Sequence, residues 1–254
     1  MKMNLLASDF DNTLLFDNKM KERDVKAIKQ FQENGHLFGL CTGRSLEGVM
    51  TPTLPYNIQY DFYILLSGAL ILNKDKDIIL EKKIPMPIAL DIVHFLDGID
   101  ASIVYHDQMY KVFKEKDDSH RGTYLHSFEE LNANFISALS FHFQDNELDL
   151  AKQATDTINQ KYGDYIEAYQ NNQHIDLVAK GCSKGNGIKI IQDYFQLKDS
   201  QVHVIGDSWN DLPMLDVVEK SYTFTYAHKD VQQHAQTIVE TLADCIEDIE
   251  NLCK

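Results

Sequence analysis

Short apolar runs that end at polar, turn-forming residues recur in the first part of the chain. Residues 3–7 lead into Asp9, residues 37–41 lead into Thr42, and residues 19–34 carry apolar positions at helical spacing. This pattern predicts a strand, a helix and a strand, which together form a βαβ unit with parallel strands. We therefore expect Asp9 and Thr42 at the same edge of a sheet.

The pattern continues along the chain and changes near residue 85. Before that point the predicted elements are a helix at 46–60, a strand at 63–66 and a hairpin of 69–72 with 78–82. After it, shorter apolar segments predict helices at 87–96 and 148–162 and strands at 101–106, 109–113, 136–143, 165–169 and 175–179. Antiparallel strands with two helices predict an α+β module inserted into the first domain.

The parallel-sheet pattern returns at Ser183, which is a candidate N-cap. The predicted elements are a helix at 184–195, a strand at 201–205, a strand at 221–226 and helices from 229 to 252. The first of these strands ends just before Asp207. We therefore expect an α/β protein with a parallel-sheet core formed by residues 1–83 and 182–254 and an α+β insertion at 84–181.

The charge balance limits the possible partners. Asp plus Glu number 39 and Lys plus Arg number 24, so the formal net charge is −15. Nucleic-acid binding depends on Lys and Arg that neutralise phosphates, and anionic membranes attract basic segments. We therefore expect neither nucleic acid nor a membrane as a partner.

Four cysteines lie far apart without a Cys-x-x-Cys spacing: Cys41, Cys182, Cys245 and Cys253. This spacing argues against a disulfide framework or a zinc site and predicts reduced thiols, as in a cytosolic protein. The apolar stretch before Asp9 is too short for a signal peptide, and no run approaches the ~18–20 apolar residues of a membrane span. These observations predict a cytoplasmic protein.

Two aspartates, Asp9 and Asp11, follow the first predicted strand. Asp before a turn commonly serves as a cap or an Asx-turn residue. An EF-hand loop is excluded, because its sixth and twelfth positions need Gly and Glu and here hold Leu14 and Met20. This stretch alone leaves turn chemistry and a catalytic pair equally open.

Further chemically active residues follow the other strands or begin a helix. The complete set is Asp9, Asp11, Thr42, Lys184, Asp207 and Asp211. Crowded carboxylates need a cation, and Mg²⁺ prefers oxygen ligands, so this set predicts Mg²⁺-assisted phosphoryl transfer. One carboxylate can attack phosphorus, and a second, with its pKa raised by its neighbours, can protonate the leaving alcohol.

Four residues of this region have alternative interpretations. Asp207 and Asp211, at i and i+4, would repel each other on a helix face, which favours a metal-linked role. Lys184 in a first helical turn opposes the helix dipole, which favours a functional role. Arg44 could contact substrate or pair with an acidic neighbour, and both interpretations stay open.

Four segments carry a family resemblance: Asp9-Phe10-Asp11-Asn12-Thr13, Cys41-Thr42-Gly43-Arg44, Ser183-Lys184-Gly185 and Gly206-Asp207-Ser208-Trp209-Asn210-Asp211. Their order and spacing resemble the motifs of haloacid-dehalogenase-like hydrolases, specifically Cof-type phosphatases with a type-IIB cap. The resemblance covers essentially the whole chain. It implies a Rossmann-like catalytic core and makes residues 84–181 an α+β cap that closes over the site and selects the leaving group.

The resemblance also implies roles for individual residues. Asp9 would be the nucleophile and a Mg²⁺ ligand, and Asp11 the general acid/base with its backbone carbonyl on the metal. Asp207 would be the third protein ligand, and Asp211 would support the metal directly or through water. The groups that would hold the phosphoryl oxygens are the Phe10 amide, Thr42, Gly43, Lys184 and Asn210.

The sequence departs from the family pattern at three places. Asn12 stands where Gly is typical, although Asn tolerates left-handed backbone better than most residues. Ser67 stands where Asn is common, and the segment 226–228 lacks the usual Asn-Ala. None of these departures changes a carboxylate or the lysine.

The sequence therefore predicts a Mg²⁺-dependent phosphatase that acts on a small phosphorylated metabolite through an aspartyl-phosphate. The predicted partner is a small-molecule phosphomonoester, with no obligate protein partner. A phosphomutase or phosphotransferase with the same chemistry is an alternative, and a non-catalytic phospholigand-binding protein is another.

Overall fold

A computed structural model describes residues 3–114 and 122–252 of the chain. The chain divides into two compact units, Met1–Leu80 with Ser183–Lys254, and Glu81–Cys182. No described helix combines the length and apolar character that crossing a bilayer demands. Cys253 lies outside the described residues, whereas the other three cysteines are buried and form no disulfide.

The first segment of the chain alternates strands and helices, as the apolar periodicity predicts. Its elements are β1 (Leu5–Ser8), α1 (Glu22–Glu33), β2 (Leu37–Cys41), α2 (Leu46–Thr53), β3 (Phe62–Leu65), β4 (Leu70–Asn73) and β5 (Ile78–Glu81). The apolar face of α1 buries Ile28 and Phe31, and the helix ends before Gly35, whose φ of +84° suits glycine.

The described residues of the insertion form strands and two α-helices. Its elements are β6 (Ile84–Pro85), α3 (Met86–Phe95), β7 (Asp100–Tyr105), β8 (Gln108–Val112), β9 (Thr123–Tyr124), β10 (Phe135–Ile136), β11 (Ala138–His142), α4 (Leu148–Tyr162), β12 (Ile166–Asn171) and β13 (His174–Ala179). Among the described residues, six strands form one sheet in the order β12-β13-β11-β7-β8-β9, and α4 packs against β12 and β13. This unit is the α+β module that the sequence predicts.

The last segment returns to the first unit. Its elements are α5 (Lys184–Tyr194), β14 (Val202–Ile205), α6 (Leu212–Leu215), β15 (Lys220–Phe224), α7 (Lys229–Gln232), β16 (Thr237–Val239) and α8 (Leu242–Asn251). The prediction of helices alone from 229 to 252 is wrong, because β16 separates α7 from α8. Three residues are too few to show an alternating pattern, and this strand exists because it pairs in parallel with β15.

The described strands of the first unit form a sheet in the order β16-β15-β14-β1-β2-β3-β4-β5. β1 lies between β14 and β2 and pairs with both in parallel, and all four of its residues are buried. Ile188 and Ile191 of α5 belong to the same buried cluster as Ala7 and Val204. The predicted α/β fold with a parallel core sheet is confirmed, and it brings the carboxyl ends of β1, β2 and β14 to one edge.

Candidate active site

Three neighbouring parallel strands deliver the candidate residues to one sheet edge. Asp9 follows β1, and its backbone N–H donates to the carbonyl of Ile205 at the end of β14, 2.9 Å away. Thr42 follows β2, and its N–H donates to the Ile64 carbonyl of β3 at 2.8 Å. Since the ladder fixes these backbone positions, the side chains after β1, β2 and β14 meet at this edge.

A compact group of carboxylates forms there. One oxygen from each of Asp9, Asp207 and Asp211 lies within 4.8 Å of the others. Asp9 and Asp211 are buried, with 5% and 0% of their surface exposed. The side chain of Asp11 is not part of this group, and it contacts Arg44 instead.

Lys184 bridges two of these carboxylates. Its Nζ lies 2.5 Å from an oxygen of Asp9 and 2.5 Å from an oxygen of Asp211, and its side chain is 1% exposed. Burial opposes the charged form, but Asp211 and Asp9 together outweigh burial and raise the pKa of Lys184 above its usual range. The side chain is therefore a charged ammonium that donates to both carboxylates, and it lies at the first position of α5.

The start of α5 is fixed by capping and close packing. The Ser183 side chain accepts from the N–H of Asn186 at 2.9 Å, which confirms Ser183 as the N-cap. A Cβ on Gly185 would lie 2.1 Å from the Pro213 carbonyl oxygen, so only glycine fits between α5 and α6. This close approach determines where Lys184 enters the site.

One ammonium does not offset the crowding of the three carboxylates. Burial is the main cause that raises the pKa of Asp9 well above its usual range, followed by repulsion from Asp211, against the opposing effect of Lys184. Burial and then Asp211 also raise the pKa of Asp207 to about 7. When all three carboxylates are ionised, the group carries more negative charge than Lys184 balances, which is why burial and repulsion favour protonation of Asp9 and Asp207.

The turn after β14 holds Asp211 in an unexpected way. Asp207 and Asp211 do not share a helix face, because Asp207 precedes the 3₁₀ turn Trp209–Asp211. One Asp211 oxygen instead accepts from the N–H groups of Asp207 and Ser208, at 2.9 and 3.0 Å. The expected i,i+4 geometry is corrected: Asp211 closes its own turn and offers its other oxygen to Lys184.

The loop after β1 is also closed by hydrogen bonds. Asn12 has a φ of +56°, in the left-handed region that Asn tolerates. Its carbonyl accepts from the Tyr226 hydroxyl, and Thr13 donates to an oxygen of Asp207 at 2.9 Å. Sequence reasoning assigned no role to Thr13 or Tyr226. The Tyr226 contact joins residues 214 positions apart, so no local sequence pattern could predict it.

The loop after β2 rests on a left-handed segment. Leu66 and Ser67 both have a φ of +49°, and their N–H groups donate to the carbonyls of Arg44 and Thr42. Thr42 is buried, and its hydroxyl accepts from the N–H of Arg44 at 3.2 Å. Backbone strain that supports a loop at a candidate site is typical of functional regions.

Arg44 is paired with an acidic residue of the site. Its guanidinium pairs with Asp11 through two hydrogen bonds, Nε to Oδ2 at 2.8 Å and a terminal nitrogen to Oδ1 at 2.5 Å. The pairing with an acidic neighbour is therefore the observed one. Trp209 in the neighbouring turn is 39% exposed, and its ring lies 5.0 Å from that of His228.

The donor set fits a hard divalent cation. Asp9, Asp207 and Asp211 present oxygen atoms only, which is the ligand type that Mg²⁺ prefers. Their surplus negative charge is the condition that a bound cation would relieve. In the same turn, the buried Asn210 Oδ1 has no hydrogen-bond partner among the described residues, so a further oxygen is available for a ligand.

Comparison with known proteins agrees with this geometry. The sequence pattern of haloacid dehalogenase-like hydrolases matches residues 6–244. The phosphatase YbjI of Escherichia coli is 26% identical over 232 residues, covering 85% of this chain and 82% of its own. The phosphatase YitU of Bacillus subtilis is 25% identical over 242 residues, covering 84% and 83%.

Solved structures share the fold over nearly the whole chain. A haloacid dehalogenase-like hydrolase from B. subtilis has a TM-score of 0.84 at 20% identity and covers 98% of this chain and 100% of its own. The sugar phosphatase BT4131, of HAD subclass IIB, has a TM-score of 0.80 at 18% identity and covers 99% of each chain. The chain therefore belongs to the haloacid-dehalogenase-like hydrolases.

Proposed function

We propose that the chain is a Mg²⁺-dependent phosphatase that hydrolyses a small phosphorylated metabolite through an aspartyl-phosphate on Asp9. The observation that carries this proposal is the buried contact of Lys184 with Asp9 and Asp211, beside Asp207. A nucleophilic carboxylate must be ionised at neutral pH; Lys184 favours that form, and a bound cation would oppose the burial and the Asp211 repulsion that raise the pKa of Asp9.

Asp9, Asp207 and Asp211, together with the main-chain carbonyl of Asp11, would hold the metal. When bound, Mg²⁺ would supply Lewis-acid stabilisation of the charge that develops on the phosphoryl oxygens. The Phe10 amide, Thr42, Gly43, Lys184 and Asn210 would hold those oxygens from the protein side.

Asp9 and Asp11 divide the chemistry between them. An Asp9 oxygen attacks phosphorus, the bond from phosphorus to the ester oxygen breaks, and Asp11 gives its proton to the departing alcohol. Water then attacks the aspartyl-phosphate and gives a proton to Asp11, so phosphate leaves and both carboxyl groups return to their starting forms.

The substrate class is the finer part of the proposal. The relatives YbjI and YitU are phosphatases of 5-amino-6-(5-phospho-D-ribitylamino)uracil, and BT4131 is a sugar phosphatase. These names support a phosphate ester of a polyhydroxylated metabolite. We assign the choice among such esters to the insertion, residues 84–181.

A phosphate-release assay over sugar phosphates, nucleotides and flavin and pyridoxal phosphates tests the proposal. We expect turnover with Mg²⁺, reversible loss with EDTA, and complete loss in Asp9→Asn. The matched control is Asp216→Asn, since Asp216 is exposed and pairs with His234 at 2.7 Å. Full activity of Asp9→Asn or in EDTA contradicts the mechanism, whereas isomerised ester with little free phosphate indicates a phosphomutase.

A further inference from the structure

The contact between Arg44 and Asp11 differs from the other ion pair of the site. Asp11 accepts two hydrogen bonds from the guanidinium, and both partners are accessible, with side chains 34% and 49% exposed. Lys184 is buried against two carboxylates. Of these two cations, Arg44 is therefore the one that solvent, and a ligand arriving from solvent, can reach.

Arg44 is held in place independently of Asp11. A third N–H donates to the Gly48 carbonyl at 3.0 Å, and the guanidinium lies 5.1 Å from the centre of the Phe10 ring. Phe10 is the residue between Asp9 and Asp11, so the guanidinium is anchored beside the peptide that carries both carboxylates. These contacts persist whichever anion the rest of the guanidinium binds.

A guanidinium binds carboxylate and phosphate with the same two-pronged geometry. Replacing one anion by the other therefore needs little rearrangement of Arg44. A phosphomonoester dianion that enters a site with four aspartates and two cations needs positive charge, and the accessible positive charge is already paired with Asp11.

The pairing also has a consequence for Asp11. While both Asp11 oxygens accept from Arg44, neither is free to approach the oxygen of a leaving group. If the Arg44 guanidinium moved from Asp11 to the ester, the Asp11 carboxyl group would become free when the ester is bound.

We propose that Arg44 exchanges partners: it holds the Asp11 carboxylate in the free protein and transfers to a phosphoryl oxygen of the incoming ester, which leaves the Asp11 oxygens free to accept a proton from water and pass it to the ester oxygen of the leaving group. Arg44 is then both a phosphate-binding residue and a positioning residue for Asp11. This inference rests on the proposed function, because it takes Asp11 as the proton-transferring group.

The test is a double-mutant cycle read out by binding of inorganic phosphate at saturating Mg²⁺, measured by calorimetry. The variants are Arg44→Gln, Asp11→Asn and the double variant, with Arg44→Lys as a second replacement if Arg44→Gln is poorly folded. If the partners exchange, Asp11→Asn frees Arg44 and tightens phosphate binding. The ratio of phosphate affinities, Asp11→Asn over the parent, should be about three- to tenfold larger when Arg44 is present than in the Arg44→Gln background, which is the size expected for a partly exposed ion pair. Arg44→Gln weakens binding, and Arg44→Lys, which keeps the charge without the fork, weakens it less.

Equal effects of Asp11→Asn with and without Arg44 would overturn the exchange, as would phosphate affinity unchanged in Arg44→Gln. The control is Arg23→Gln, since Arg23 pairs with Asp244 at 2.6 Å on an exposed helix surface. A loss in this control equal to that of Arg44→Gln would reduce the effect to general electrostatics and reject the proposal. A wild-type chain that neither binds phosphate nor hydrolyses any ester overturns the proposed function and this inference together, whereas activity without coupling overturns the inference alone.

Discussion

Replacing Lys184 by Met removes the cation between Asp9 and Asp211 and keeps a side chain of similar length. Two buried carboxylates then lose their shared partner, and breaking a buried ion pair from one side costs about 3–5 kcal/mol of unfolding free energy. We expect this loss in the metal-free protein, measured by urea denaturation in EDTA.

The loss should depend on pH, and the sign follows from the carboxylates. Without Lys184, Asp9 can stay buried only by taking up a proton, because loss of the ammonium raises still further a pKa that burial and Asp211 already hold well above 3.8. A raised folded-state pKa contributes stability that is present at low pH and is lost as the pH rises through it. The destabilisation should therefore be larger at about pH 8 than at about pH 5.

The matched control is Lys189→Met, because Lys189 is an exposed lysine of the same helix, α5. Substitutions at such surface positions usually stay within about 0.5 kcal/mol of the wild type. A loss below about 1 kcal/mol in Lys184→Met, or an equal loss at both pH values, would refute the view that the lysine holds these carboxylates in their buried positions.

Two further predictions concern residues outside the reaction. Burial lowers the pKa of His203 from 6.5 to about 4, so its contribution to the free energy of unfolding is complete above pH 6.5 and is lost as the pH decreases. In urea titrations, His203→Phe should remove about 2 kcal/mol of the stability loss between about pH 7 and pH 5. An unchanged pH dependence would contradict this prediction. Gly185→Ala places a Cβ 2.1 Å from the Pro213 carbonyl oxygen and should lower the free energy of unfolding by about 1–3 kcal/mol, measured by thermal unfolding. The control is Gly48→Ala, whose Cβ would meet nothing closer than 3.4 Å and which should be neutral or stabilising. Equal melting temperatures for these two alanine variants would show that α5 and α6 separate easily.

The gathering of Asp9, Thr42 and Asp207 could be predicted from the sequence for a simple physical reason. Each follows an apolar run, and parallel strands joined by helices must end at the same sheet edge. The prediction needed only the order of the elements and did not depend on their exact ends. The same logic explains why Ser183 was identified as an N-cap, since capping is a local property of a few residues.

Contacts between distant loops could not be predicted in this way. Arg44 reaches Asp11 across 33 positions, and Tyr226 reaches Asn12 across 214. No periodic pattern in the sequence indicates either contact, because each depends on the conformation of two irregular segments at once. The helical geometry expected for Asp207 and Asp211 failed for the same reason: the backbone N–H groups of their own turn recruit the second carboxylate.

The two cations of the site contribute in different ways because their burial differs. At 1% exposure, Lys184 is shielded from competing water and ions, so its charge stays with Asp9 and Asp211, and a ligand could displace it only at the cost of two uncompensated buried carboxylates. At 34% exposure, Arg44 keeps a pairing worth about 1 kcal/mol in water, which an arriving dianion can replace. A site that must hold its nucleophile steady while its proton-transferring group changes partner needs one cation of each kind. Exchanging the burial of the two pairs would remove the ability to respond to a ligand while leaving the net charge unchanged.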